Sequence, residues 1–132
     1  MELAQIKKGL EELGCDCVQT ENAVITTIAV DEKDFPVNFS IDVNHGEVVA
    51  NCQYGTIGEF ALNDDKLAAL GWWLLAQNAL TKPFAIAVLD TDNGLDPTDP
   101  IVLIDSRNFE ACDFEDVLGD LQRALVHMID NG

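Results

Sequence analysis

The chain has 132 residues, 48% of them apolar, and a chain of this length can bury its own core without disulfides or bound metal. Its 7 lysines and arginines against 24 aspartates and glutamates leave a formal net charge of −17. A surface of that charge repels phosphate groups, which argues against nucleic-acid and membrane binding and favours a basic or amphipathic protein partner. The acidity is equally compatible with a role in solubility alone. We expect a single domain over residues 1–132.

The chain contains no apolar run as long as the roughly 20 residues that a membrane span requires. Its longest, LAALGWWLLA (67–76), is about half that length. The first residues resemble an amphipathic helix and lack the apolar core of a signal peptide. These features predict a cytoplasmic protein, in which Cys15, Cys17, Cys52 and Cys112 are reduced thiols.

The first predicted element is a helix. Leu3, Ile6, Leu10 and Leu13 recur at helical spacing, and Gly14 follows as a stop. Three strands come next, at residues 22–30, 37–43 and 47–55, separated by predicted turns at 31–36 and 44–46. In the second strand Val37, Phe39, Ile41 and Val43 share one face. These strands should form an antiparallel meander.

The second predicted helix begins after Asn63, its predicted N-cap, with Asp64 and Asp65 at its positive end, and its body runs from Leu67 to Leu80. It is apolar nearly all round, and such a helix must be covered on more than one side. One small sheet covers a single side, so the pattern predicts a second subunit. Trp72 and Trp73 point about 100 degrees apart on a helix, which predicts that one ring packs in the core and the other meets a partner. The alternative is that other parts of the chain cover both rings.

Two further strands are predicted at residues 82–90 and 100–108, followed by a third helix that Asp113 caps. The apolar stripe of this helix consists of Phe114, Val117, Leu118, Leu121, Leu125, Met128 and Ile129. The resulting order is α-β-β-β-α-β-β-α. Strands in blocks indicate an α+β fold with an antiparallel sheet packed against helices.

The aspartate-rich run LDTDNGLDPTDPIVLID (89–105) is the stretch that most resembles a metal site. An EF-hand loop that began at Asp90 would place Gly94 at its fifth position and Ile101 at its twelfth, where calcium requires an oxygen ligand. Asn93-Gly94 is a turn signal in its own right. We therefore predict a hairpin loop between two strands, with at most weak, nonspecific cation binding.

No other motif predicts catalysis, a metal or a cofactor. The cysteines lack paired C-x-x-C spacing, and neither His45 nor His127 accompanies a nucleophile signature. His45 is predicted in a turn and His127 at the edge of the last helix's apolar stripe. Glycine-rich nucleotide-binding motifs are absent. The sequence favours a protein without enzymatic activity over a small enzyme.

The element order, size, acidity and doubly apolar second helix together resemble the class I type III secretion chaperones, with the Tir-chaperone-like fold. DFPVNFSIDV (34–43), the helix before FAIAVLD (84–90) and FEDVLGDLQRALVHMID (114–130) are also similar to the YjfI-like proteins, a bacterial family. The resemblance implies an acidic, cytoplasmic homodimer that binds a segment of another protein. It further implies a dimer contact near the second helix and client contacts on the sheet and first helix, with no catalytic residues.

These observations predict a homodimeric, chaperone-like protein that binds a client protein, needs no cofactor and is not an enzyme. The alternative is a regulatory or scaffold protein with one dedicated partner; a small enzyme ranks below both. The residues predicted for the dimer or partner surface are Leu70, Trp72, Trp73, Leu74 and Leu75 on the second helix and Val37, Phe39 and Ile41 on a strand. The three strand residues could equally belong to the core.

Overall fold

The structure, a computed structural model, describes residues 2–60, 64–89 and 97–130. The elements in chain order are α1 (Leu3–Glu12), β1 (Val18–Gln19), β2 (Val24–Val30), β3 (Lys33–Asp42), β4 (Glu47–Thr56), α2 (Ile57–Phe60), α3 (Asp64–Asn78), β5 (Ala85–Val88), β6 (Pro100–Asn108), a 3-10 turn (Phe109–Ala111) and α4 (Phe114–Asp130). The six strands form one antiparallel sheet in the order β1-β2-β3-β4-β6-β5. The predicted α+β class and the meander are confirmed.

Among the described residues, helices cover one face of the sheet and leave the other face open. Along β3, Phe35, Val37 and Phe39 are buried, whereas the alternate Pro36 and Asn38 are exposed, as expected for a strand with one covered face. We call the two sides the helix face and the open face. Helices α1, α3 and α4 all lie on the helix face.

Helices α1 and α4 close the main core over the first strands. Ile6 and Leu10 of α1 are fully buried, and Gly14 follows the helix with a φ of +87°, as its predicted stop. Asp113 caps α4, because its Oδ1 accepts the backbone N–H of Glu115 at 3.0 Å. The predicted stripe of α4 faces the sheet: Val117, Leu121, Leu125 and Met128 are buried, and Phe114, Leu118 and Ile129 pack against the core.

An ion-pair network joins α4 to the sheet. The Arg107 guanidinium of β6 donates to Asp105 at 2.7 Å and to Asp120 of α4 at 2.6 Å. Asp120 also pairs with Arg123, one turn further along the helix. Because the Arg107 side chain is only 22% exposed, this network is shielded from solvent more than a surface pair would be.

The turn predicted at residues 31–36 is wrong for its last four residues, which belong to β3. Only Asp31 and Glu32 turn, both with positive φ, and β3 begins at Lys33. Two residues with positive φ are typical of a two-residue hairpin loop. The pair Asp-Glu contains neither the glycine nor the asparagine that would have predicted such a loop from the sequence. Pro36 is tolerated because β3 pairs only with β2 there, and its pairing with β4 begins at Val37.

Four other elements differ from the sequence-based prediction. The two-residue β1, the single-turn α2 and the 3-10 turn were not expected, because segments this short carry no readable periodicity. Strand β5 is limited to Ala85–Val88, since residues 82–83 form a turn. Val43, expected on a strand face, lies in the β3–β4 turn and is highly exposed.

The aspartate-rich run connects two paired strands. Strands β5 and β6 are antiparallel neighbours, with Val88 opposite Ile101, as the hairpin prediction requires. Residues 90–96 themselves, including Asp90, Asn93 and Gly94, lie outside the described residues, and so does the predicted cap Asn63.

Candidate interaction surface

Helix α3 packs its inner side on the end of the sheet formed by β5 and β6. Leu70 is buried with Ile57 and Ile101, forming a second, smaller core. Leu67, Trp73 and Leu74 pack against this core and are partly buried, as are Ile86 and Val88 of β5. Other parts of the same chain thus cover the apolar inner side of α3.

The outer side of α3 is equally apolar but faces solvent. Trp72 is 76% exposed and Leu75 is 67% exposed. At the same helical spacing lie exposed alanines, so the outer stripe consists of Ala68, Ala69, Trp72, Leu75, Ala76 and Ala79. Residues 67–81 contain no charged side chain, although charged residues make up 23% of the chain. A charge-free apolar stripe on so acidic a molecule is typical of an interface.

An apolar groove runs between α3 and the edge strand. It has a volume of about 270 Å³ and is lined by Gly71, Leu74, Leu75, Asn78, Ile86, Ala87 and Val88. Strand β5 is the last strand of the sheet, so one side of its backbone faces no other strand among the described residues. Asn78 Oδ1 accepts the backbone N–H of Ile86 at 3.0 Å and holds α3 to this strand.

Trp72 and Trp73 have different surroundings, as their helical positions require. The Trp73 ring lies 6.4 Å from the ring of Tyr54, centroid to centroid. Tyr54 also stacks on Phe60 at 5.4 Å, and its hydroxyl donates to the backbone carbonyl of Met128 at 3.4 Å. Burial raises the pKa of the Tyr54 phenol. Trp73 therefore helps to join α3 to the main core, whereas Trp72 leaves its ring in solvent.

Two of the strand residues named for a partner surface are core residues. Val37 and Phe39 are fully buried on the helix face, and the Phe39 ring meets Phe114 of α4 edge to face at 5.8 Å. Ile41 is partly buried against the same core. The sequence allowed these strand residues to lie either in the core or on a partner surface, because the alternation within one strand does not show what covers its apolar face.

Three of the four cysteine thiols have a raised pKa, which lowers their reactivity. None of the four is in a disulfide. Cys52 is fully buried, and burial raises the pKa of its thiol to about 12. Burial also raises the thiol pKa of Cys17 and of Cys112. Thiols held in the protonated form are poor nucleophiles and poor metal ligands.

One polar cluster was not recognised in the sequence. Asp42, His45 and Glu47 can each offer one ligand atom, and these atoms all lie within 4.8 Å of one another. His45 Nδ1 is 2.8 Å from Asp42 Oδ2; this hydrogen bond and the Asp42 charge raise the pKa of His45. The pKa of Asp42 is lowered, chiefly by the same bond. The spacing D-x-x-H-x-E around a predicted turn was the available signal.

Comparisons with known proteins show the fold. No known family profile and no curated protein matches the sequence. A solved structure of YbjN from E. coli, described as a candidate transcription regulator, is similar with a TM-score of 0.67 and 12% identity, over 99% of this chain and 93% of that one. A chain of the ExsC–ExsE complex is similar with a TM-score of 0.54 and 11% identity, over 95% of this chain and 89% of that one.

These likenesses confirm the secretion-chaperone-like fold, and at such low identity they establish the fold alone. They do not support the narrower resemblance to the YjfI-like proteins. Over residues 2–60, 64–89 and 97–130, no helix has both the length and the hydropathy needed to cross a membrane.

Proposed function

We propose that this chain is a cytoplasmic, non-enzymatic binding protein that forms a homodimer and holds a segment of a partner protein, in the manner of a chaperone. The observation that carries this proposal is the uncharged outer stripe of α3 beside the apolar groove at β5. Structural similarity to the ExsC–ExsE complex, whose chain pairs with a protein, supports a protein as the bound partner.

The outer stripe suits self-association for an electrostatic and a steric reason. Two copies that each carry a net charge of −17 repel each other, so a stable contact requires a surface without carboxylates. The alanines that flank Trp72 and Leu75 let two helices approach closely, while the two large side chains supply apolar area at the centre. A two-fold axis through this stripe pairs it with itself.

The groove suits an extended partner segment. Its walls are aliphatic, and an added strand beside β5 would find unpaired backbone groups next to pockets for alternate side chains. The acidic surface favours a segment with basic flanks.

A dedicated regulatory protein is the second candidate, because YbjN is described as a candidate transcription regulator. The net charge opposes direct DNA contact, so such regulation would act through a bound protein.

The dimer is tested by sedimentation velocity on untagged protein at micromolar concentration. We expect the wild type to sediment as a dimer and Leu75→Glu to sediment as a monomer, because the substitution adds a carboxylate to the stripe. Val18→Glu is the matched control, since Val18 of β1 is 64% exposed against 67% for Leu75 and lies outside the stripe. A wild-type monomer, or equal effects of both substitutions, would contradict the proposed contact.

Partner binding is tested by capture from the source cell with two charge insertions on helices. Gly71→Glu places a carboxylate at the groove, and Gly119→Glu places one at an exposed position of α4; an added Cβ meets no other atom within 4 Å at either glycine. We expect Gly71→Glu to lose a protein that the wild type and Gly119→Glu both retain. Retention by all three proteins would rule out the groove as the binding surface.

A further inference from the structure

The turn between β3 and β4 carries a cluster of ligand-type side chains away from the helices and from the α3 surface. Asp42 ends β3 and Glu47 begins β4, and the two residues are directly opposite each other in the ladder. Side chains of directly opposed residues lie on the same face of the sheet, here the open face. His45 lies in the turn between them.

The turn is held in a defined conformation. The His45 backbone N–H donates to the carbonyl of Asp42 at 3.3 Å, and Gly46 has a φ of +63°. The Gly46 carbonyl accepts the backbone N–H of Phe109 at 3.0 Å, which ties the turn to the end of β6. The backbone that positions the three side chains is therefore fixed by bonds on both sides.

The distances between the donor atoms suit a bound metal ion. Oxygen and nitrogen ligands lie roughly 2.0–2.2 Å from Zn²⁺, so two ligands of one ion are separated by about 3 to 3.5 Å. One ligand atom each from Asp42, His45 and Glu47 all lie within 4.8 Å of one another. His45 Nδ1 and Asp42 Oδ2 are 2.8 Å apart in a hydrogen bond whose place a bound ion would take.

The charges of the cluster also favour a cation. Opposed like charges on neighbouring strands destabilise the pairing, and Asp42 and Glu47 are such a pair. A divalent ion between the two carboxylates removes that repulsion. The net charge of −17 further raises the cation concentration near the surface.

We propose that Asp42, His45 and Glu47 form a binding site for one divalent transition-metal ion of the Zn²⁺ and Ni²⁺ kind, with water as the remaining ligands. The imidazole selects these ions over Mg²⁺ and Ca²⁺, which prefer oxygen ligands alone. The side chain of His45 is exposed, so the ion enters without any rearrangement of the core. This site is independent of the dimer and of the partner groove.

Untagged, reduced protein is titrated with NiCl₂ in a phosphate-free buffer, by calorimetry and by ¹H–¹⁵N NMR. We expect one ion per chain, with paramagnetic broadening centred on residues 42–47 and reaching Phe109. His45→Gln and Glu47→Gln should each weaken binding by at least about tenfold. Circular dichroism of each variant confirms that the fold is kept.

Three matched controls must bind as the wild type does. Asp34→Asn removes an exposed carboxylate from the same strand, Cys15→Ser with Cys17→Ser removes thiols, and Asp90→Asn with Asp92→Asn removes two acids of the aspartate-rich run. Binding that survives both His45→Gln and Glu47→Gln, or that disappears in any control, would overturn the site. Absence of binding by the wild type at millimolar NiCl₂ would overturn it as well.

Discussion

Helices α3 and α4 lie on the same face of one sheet, but the side that each turns to solvent differs: it is polar in α4 and apolar in α3. The buried positions of α4 are apolar and its outward positions include Glu115, Asp116 and Gln122. Outward positions of α3 are as apolar as its inward ones, with Trp72 and Leu75 in solvent. The apolar side of α4 is covered within the chain, whereas α3 has a second apolar side that no part of residues 2–60, 64–89 and 97–130 covers.

This difference has a simple physical meaning. An amphipathic helix gains its stability by burying one stripe, and its polar side then prevents further association. A helix that is apolar all round gains as much again when a second surface covers it. The contrast separates the part of the molecule that maintains the fold from the part that we propose binds other chains.

The largest expected effect compares one leucine from each helix. Leu125 is fully buried in α4, and Leu125→Ala should lower the free energy of unfolding by about 2–5 kcal/mol through lost burial and a cavity. Leu75→Ala should change it by less than about 0.5 kcal/mol in dilute, monomeric protein. Urea denaturation followed by circular dichroism measures both. Equal losses would remove the distinction between the two helices.

A smaller effect is expected for the ion pairs that join α4 to β6. Arg107→Gln leaves Asp105 and Asp120 facing each other at a poorly solvated site and should cost about 1–3 kcal/mol. Arg123→Gln is the matched control, since it removes a 71% exposed partner of the same Asp120 and should cost at most about 0.5 kcal/mol. If both substitutions had the same effect in urea denaturation, the network would not stabilise α4.

The smallest effect concerns Tyr54, the single tyrosine of the chain, which contacts both helices. Burial raises its pKa above the ordinary value of 10.0, so its contribution to stability is complete below pH 10 and is lost as the pH rises through the higher pKa of the folded protein. Absorbance at the tyrosinate band measures this pKa directly. Trp73→Ala should lower the pKa towards 10.0 by admitting water, and Trp72→Ala should leave it unchanged. A shift with Trp72→Ala would mean that its ring also covers Tyr54.

Much of the fold was predictable from local patterns. The alternation in β3, the stripe of α4 and the run of β-branched residues in β2 each predict the right element, because one covered face imposes one periodicity. The turn at Asp31 and Glu32 lies within the turn predicted at 31–36, but its length of two residues was not predictable, since the pair lacks the glycine or asparagine typical of a two-residue hairpin. Strand β1 was missed because only its pairing with β2 makes two residues a strand.

For the candidate sites, too, some features were predictable from the sequence and others depended on the tertiary structure. The sequence determined that α3 has too much apolar surface for one sheet, and that Trp72 and Trp73 must point in different directions. Only the tertiary structure decided which ring is outside, because a helix with no polar side carries no signal for its rotation about its own axis. Packing of α1 and α4 likewise decided that Val37 and Phe39 are core residues. Pairing of β3 with β4 brought Asp42 opposite Glu47, a proximity that depends on ladder register and not on composition.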